Sequence, residues 1–405
     1  MNPRAGRWLA IVGIGEDGLD GVSGAGRALV ADAELLVGGA RQLAMIPANG
    51  IERVAWPSPL EDGIQALLRA RGRRVTVLAS GDPMHYGIGA TLAARVPVEE
   101  TIVVPAPSSF SLACARLGWS VAETGTLSLH GRPLDLLNAW LESGARLLAL
   151  SENGATPAAV AGHLRAHGYG RSRLWALERL GGPRERILAG TAADWRANDV
   201  ADLNLVAIEC VAEPGAIVRA RVPGLPDDAF RHDGQLTKRE VRAVTLAKLA
   251  PGPRGLLWDV GAGCGSVAIE WMRVPGARRA IAIEPDASRR RLIADNAASL
   301  GAPGLEIVAG SAPEALQGLA APDAVFVGGG SAHAGVIEAC WAALAPGGRL
   351  VANAVTLEGE AKLVEWHGRV GGELVRIAIE RAEPIGQRMG WRPARAVVQW
   401  AAAKP

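Results

Sequence analysis

Short apolar runs of strand composition alternate with helix-length segments along almost all 405 residues. That alternation restricts the chain to α/β layers with largely parallel sheets. The pattern starts twice. A first series runs through Trp8 to Val12, Glu34 to Val37, Arg74 to Ala79, Thr101 to Val104, Arg146 to Leu150, Leu174 to Leu177 and Leu203 to Glu209, and a second begins at Gly255 to Val260. Between them, Ala212 to Phe230 carries Pro214, Pro223 and Pro226 with few apolar pairs, which punctuates structure rather than propagating it. At roughly 150 residues per domain, two domains are expected, at 1–212 and 227–405, joined by a linker at 213–226. Past the linker, Thr237 and Glu240 have capping-box spacing ahead of a helical segment that Pro251 and Gly252 end near Leu249.

Composition narrows the class of partner. Hydrophobic residues at 49% and charged residues at 21% suit more than one apolar core, and nothing reads as disordered. With 43 basic against 41 acidic side chains, the net charge of +2 sets up no field toward nucleic acid or an anionic membrane, so neither partner is expected. Lysine stands only at Lys238, Lys248, Lys362 and Lys404, so nearly every cation is an arginine, suited to bidentate capture of carboxylates. Cys114, Cys210, Cys264 and Cys340 lie far apart without a CxxC pair, which predicts neither a metal site nor a disulfide framework. Met1 to Arg7 leads straight into the first strand-like run, and no stretch of ~18 uncharged apolar residues follows. The expectation is a cytoplasmic protein.

The sharpest local signal is Leu256-Leu257-Trp258-Asp259-Val260-Gly261-Ala262-Gly263-Cys264-Gly265-Ser266, followed by a helix-like segment through Met272. A strand ending in closely spaced glycines lets the backbone turn sharply toward a ligand, and the helix offers its N-terminal amides. A dinucleotide fingerprint needs glycine where Ser266 stands; here the spacing is G-x-G-x-G instead. Arg279 to Ile283 reads as a second strand ending in Glu284, where a carboxylate can accept both ribose hydroxyls. These two features favour S-adenosylmethionine over a dinucleotide, and the competing reading is a glycine turn that serves no ligand. Leu305 to Val308 leads into Ala309-Gly310-Ser311-Ala312, placed to flank adenine, and Asp323 to Val327 ends in Gly328-Gly329-Gly330 ahead of His333. Three glycines after a buried strand cost conformational entropy, which points to close approach by a substrate.

A fifth run, Gly348 to Val355, continues through Asn353-Ala354-Val355-Thr356-Leu357-Glu358. Together with Thr237, the 259–265 loop and Val327-Gly328-Gly329, it resembles the class I methyltransferase domain that acts on carbon 15 of precorrins and removes a ring acetate carboxylate. The resemblance spans residues 227 to 405. It implies cofactor contacts from Thr237, Gly261, Ala262, Gly263, Cys264, Gly265, Glu284, Ser311 and Ala312, with Ser311 standing where aspartate is often found. Gly328 and Gly329 are expected at the substrate, with Arg388 and Arg392 as carboxylate-binding candidates beside Lys238, Arg239 and Arg395, and Trp391 as an apolar face. His333 and Asn353 are the catalytic candidates, His333 as a group able to place or shuttle a proton.

The first half opens on Val12-Gly13-Ile14-Gly15-Glu16-Asp17-Gly18, a strand and glycine turn whose helix is delayed. More telling are Ala79-Ser80-Gly81-Asp82-Pro83-Met84-His85-Tyr86-Gly87 and Val104-Pro105-Ala106-Pro107-Ser108-Ser109-Phe110, two loops stiffened by proline that expose backbone and hydroxyl groups at strand ends. They resemble the tetrapyrrole methylases, a class III fold of two α/β lobes with the cofactor between them, over residues 5 to 212. Leu180-Gly181-Gly182-Pro183 and Glu185-Arg186-Ile187 fit the same pattern, while Glu16 stands where the usual opening has proline. The resemblance implies Gly81, Asp82, His85, Ser108 and Ser109 around the cofactor and methylation at carbon 5. Both domain types commonly self-associate, so a homo-oligomer, dimer or tetramer, is expected.

The two resemblances together imply a cobalamin-pathway enzyme with two S-adenosylmethionine sites per chain and no metal. It would take precorrin-6B to precorrin-8 with two methyl transfers and release of CO2. A non-catalytic tetrapyrrole carrier is one rival. A class I methyltransferase acting on RNA or protein is another, though it leaves the first half unexplained.

Overall fold

Three sheets take up nearly all the apolar runs of the sequence in the computed structural model, which describes residues 6–48, 50–217, 219–276 and 278–405. Met1 to Ala5, where part of the N-terminal reading falls, lie outside those residues. The chain divides into two units, residues 1–132 with 143–217, and residues 133–142 with 218–405.

The first unit holds two sheets. Strands β1 (Leu9–Ile14), β2 (Leu35–Gly38), β3 (Glu52–Ala55), β4 (Val75–Ser80) and β5 (Thr101–Val104) form an all-parallel sheet in the order β3-β2-β4-β1-β5. Every residue of β1 is buried, because both faces of such a sheet are covered and each takes its own apolar cluster. The second sheet, ordered β6-β7-β10-β8-β9, comprises β6 (Gly125–Ser128), β7 (Arg146–Leu150), β8 (Arg173–Glu178), β9 (Arg186–Thr191) and β10 (Asn204–Glu209). This sheet is the exception to the largely parallel pattern: only β6 and β7 run parallel, and β10 runs antiparallel to β7 and β8, as β8 does to β9. Residues 179–185 between β8 and β9 are too few for the helical crossover that parallel neighbours require.

The second unit is doubly wound. Strands β11 (Leu256–Val260), β12 (Arg279–Glu284), β13 (Glu306–Ala309), β14 (Ala324–Val327), β15 (Arg349–Ala354), β16 (Glu373–Ile377) and β19 (Val397–Ala403) pair in the order β13-β12-β11-β14-β15-β19-β16. The first five are parallel, and β19 runs antiparallel to both its neighbours. Alternation along β11 sends Leu257 into one apolar cluster and Leu256, Trp258 and Val260 into the other. Strand order reverses between β11 and β14, which opens a crevice at their carboxyl ends. A separate hairpin of β17 (Glu380–Ile385) and β18 (Arg388–Pro393) leaves Met389 and Trp391 in solvent, Trp391 at 71%.

Two local expectations are revised. Leu225, inside the stretch read as linker, packs in the core of the second unit, and residues 133–142 join that unit from within the first half of the sequence. The helix Arg239–Leu249 is capped at Lys238 without a side-chain bond, so Thr237 and Glu240 do not form a capping box. Among the described residues no helix is long and apolar enough to cross a membrane.

Candidate active site

The crevice of the second unit widens into a cavity of about 600 Å³, walled by the loops after β11, β12, β13 and β14 and by Gly234–Lys238. Its floor depends on backbone contact. Gly261 (φ 69°) lies so near the loop after β14 that a Cβ on it would stand 2.9 Å from backbone atoms of Gly329. The amide of Gly328 donates to the Val260 carbonyl at 2.9 Å and that of Gly261 to Ile283 at 3.0 Å. The glycines are therefore dictated by space as well as by φ.

Two buried carboxylates lie under this floor. Glu284, at the end of β12, lines the cavity and accepts from the amides of Gly263 at 2.8 Å and Asp286 at 3.1 Å, which ties the glycine loop to the acidic strand end. Each of its oxygens keeps a further lone pair for a ligand hydroxyl. Asp259 accepts from the Ala268 amide at 3.0 Å through Oδ2, while Oδ1 is buried without a partner among the described residues. Burial, with the Glu284 charge adding to it, pushes the Asp259 carboxyl up to about 7.

Two polar networks hold the walls. Arg242 is fully buried and donates to Glu270 at 2.6 Å, Asp227 at 3.2 Å, the Thr237 carbonyl at 2.5 Å and the Leu225 carbonyl. Glu270 in turn accepts from the amides of Gly224 and Leu225. The pair pins the segment that ends in the cavity wall to the helix Ser266–Arg273. On the far side, Asn353 and Gln399 are direct partners across β15 and β19. The Thr245 hydroxyl donates to Val241 and so acts toward both amides as an acceptor. Gln399 Nε2 donates to Thr245 and to Asn353 Oδ1, each at 2.9 Å, and Asn353 Nδ2 donates to Thr245 at 3.3 Å, which leaves Asn353 with one N–H unused among the described residues. Arg242, Glu270, Thr245 and Gln399 carry no motif, and only their placement marks them.

Of the expected residues, Thr237, Gly261, Ala262, Gly263, Glu284, Ser311, Ala312, Gly328, Gly329, His333 and Asn353 line the cavity, as do Lys238 and Arg395. Cys264 and Gly265 do not: the Cys264 side chain packs in the core, where burial pushes its thiol up to about 11, and Gly265 caps the following helix in the left-handed conformation. Arg388, Arg392, Arg239 and Trp391 are also outside the lining, because the hairpin carries three of them into solvent, where Arg392 pairs with Glu383 at 3.0 Å. Arg381 and Arg289 line the cavity instead, Arg381 paired with Glu240 at 2.7 Å and Arg289 with Asp233 at 2.8 Å.

In the first unit, Gly81 and Ser109 line a smaller cavity of about 110 Å³. Ser108, Asp82 and His85 are spent locally. Ser108 Oγ caps the helix Ser109–Leu117 by accepting from Ser111, Asp82 accepts from the Met84 amide at 2.8 Å, and His85 packs 4.4 Å from the Phe110 ring.

Comparisons with known proteins find a family match in each half of the chain. Residues 228–404 match the family described as "Precorrin methyltransferase domain", and residues 9–195 the family "Tetrapyrrole (Corrin/Porphyrin) Methylases". A Sinorhizobium protein named precorrin-6Y C(5,15)-methyltransferase [decarboxylating] is 48% identical over 98% of this chain and 96% of its own length. Two half-length relatives also align. A Salmonella typhimurium cobalt-precorrin-7 C(5)-methyltransferase is 30% identical over 48% of this chain and 98% of its own. A probable cobalt-precorrin-6B C(15)-methyltransferase (decarboxylating) from Pyrobaculum calidifontis is 38% identical over 42% of this chain and 87% of its own.

Proposed function

The chain belongs to the family of decarboxylating precorrin-6Y C(5,15)-methyltransferases, and from that premise we propose that it methylates precorrin-6B at carbons 5 and 15 and releases one carboxyl group as CO2. The first unit carries the carbon 5 reaction, the second carbon 15 and decarboxylation, with S-adenosylmethionine bound once in each. The product is precorrin-8.

The observation that carries the reading is the bond between the Glu284 carboxylate and the Gly263 amide, inside a cavity at the point where strand order reverses. Glu284 has acceptor capacity for ribose hydroxyls, and the positive-φ glycines clear room for a ligand against backbone. When bound, the cofactor supplies an electrophilic methyl group. Thr237, Gly261 to Gly263, Glu284, Ser311 and Ala312 would hold it. The chain's own part is positioning and exclusion of water. Val241, Val355, Ile377 and Val397 wall the cavity with apolar surface, and Lys238, Arg381 and Arg395 at its edge meet the substrate's carboxylates. Asn353 offers its unused N–H to an anionic group, and His333, exposed at the mouth, is positioned to exchange a proton with solvent.

Association with copies of itself belongs to the same reading, supported by the exposed Met389 and Trp391 of the β17–β18 hairpin. Free, buried cysteines support a reducing, cytoplasmic setting.

Gly263→Arg tests the division of labour. Gly263 has φ 60°, and a Cβ there would stand 3.3 Å from the Gln235 carbonyl, so an arginine fills the cofactor cavity. Mass spectrometry of the product is expected to show one added methyl group and every carboxyl retained. A product that is still decarboxylated refutes the assignment of that step to the second unit.

A further inference from the structure

The small cavity of the first unit is walled mostly by Ile14, Leu112, Leu150, Leu177, Leu180 and Leu203, yet two guanidinium side chains, Arg41 and Arg179, share its lining. Arg41 is ion-paired with Glu16, whose side chain is only 10% exposed, and it donates to Ser80 Oγ at 3.0 Å. Glu16 is wedged in place: a Cβ on Gly182 would come within 2.5 Å of the Glu16 Cβ. Arg179 has no ion-pair or side-chain hydrogen-bond partner among the described residues. Its backbone adopts φ 47°, a left-handed conformation that residues with a Cβ seldom take and that gathers at ligand sites. The amide donates to the Leu203 carbonyl and the carbonyl accepts from Gly182, both at 3.1 Å, so neighbours hold that conformation.

The charges do not cancel. Two cations face one carboxylate beside leucine side chains, and burial together with the Arg179 charge holds the Arg41 guanidinium below its usual pKa. Among the described residues the cavity lining carries one net positive charge. We propose that Arg41 and Arg179 form a carboxylate-binding subsite that takes an acetate or propionate arm of the macrocyclic acceptor in the first unit. The planar fork of arginine suits a carboxylate. The methyl donor sets one carboxylate against a sulfonium and an ammonium and so brings no net negative charge, whereas a polycarboxylate supplies negative charge in excess. Glu16 occupies Arg41, which leaves Arg179 as the open half of the site. This inference rests on the proposed precorrin substrate.

The test uses the full chain with Arg179→Gln and Arg179→Lys, following carbon 5 methylation by mass spectrometry and S-adenosylhomocysteine affinity by calorimetry. Loss of one charge-assisted contact is expected to raise the KM for the macrocycle about 10- to 100-fold in Arg179→Gln, with partial recovery in Arg179→Lys. Cofactor affinity and decarboxylation stay at the parent level. A parent chain that makes no carbon 5 product overturns the functional reading and the subsite with it. A competent parent whose KM is shared by Arg179→Gln overturns the subsite alone, as does a matching loss of S-adenosylhomocysteine affinity, which assigns the arginine to the cofactor.

Discussion

Asp259 is a residue whose chemistry its neighbours have changed. Its carboxyl titrates near 7 instead of 3.8 because burial opposes its charge and the nearby Glu284 adds repulsion. Below about pH 4 the folded and unfolded chains both keep this proton. Between there and pH 7 only the folded chain keeps it, so the group lowers stability progressively across that window, by up to about 4 kcal/mol at about 1.4 kcal/mol per unit. In Asp259→Asn, which keeps an oxygen for the Ala268 amide, the Tm of the variant relative to the parent is expected to climb from pH 4 to pH 7. Parallel Tm curves across that range would show that Asp259 does not carry the effect. The acidic residue before the glycines was legible in sequence as part of a motif, but its unpartnered Oδ1 was not, since that depends on which donors the helix Ser266–Arg273 brings within reach.

Between elements, Arg242 ties its own helix Arg239–Leu249 and the segment 224–237 just before it to Glu270, on the helix that follows the glycine loop. Removing one partner of a buried pair leaves the other charge stranded. Arg242→Ala is therefore expected to cost about 3–5 kcal/mol in denaturant unfolding, and to weaken S-adenosylhomocysteine binding because Thr237 loses its anchor. Unchanged affinity in folded variant protein would separate stability from positioning. The glycine loop and Glu284 could be read from spacing because a strand, a tight turn and a helix N-terminus are local structures. Arg242 and Gln399 could not, since their partners come from helix and strand packing, and periodicity alone reads such positions as core or surface.

For the molecule as a whole, the paired resemblance predicts two cofactor sites. Calorimetric titration of the full chain with S-adenosylhomocysteine is expected to give two equivalents per chain, and one in Gly263→Arg; a single equivalent in the parent counts against the second site. By itself the sequence determined the two α/β units, the strand-end loops and the family, because alternating hydrophobicity and glycine spacing act over a few residues. It did not reach the antiparallel half of the first unit, the capture of residues 133–142 by the second, or the removal of Arg388 and Arg392 from the cavity. Those were decided only when strands paired and the hairpin of β17 and β18 turned outward, since strand order and the direction of a surface arm depend on contacts between segments far apart in the chain.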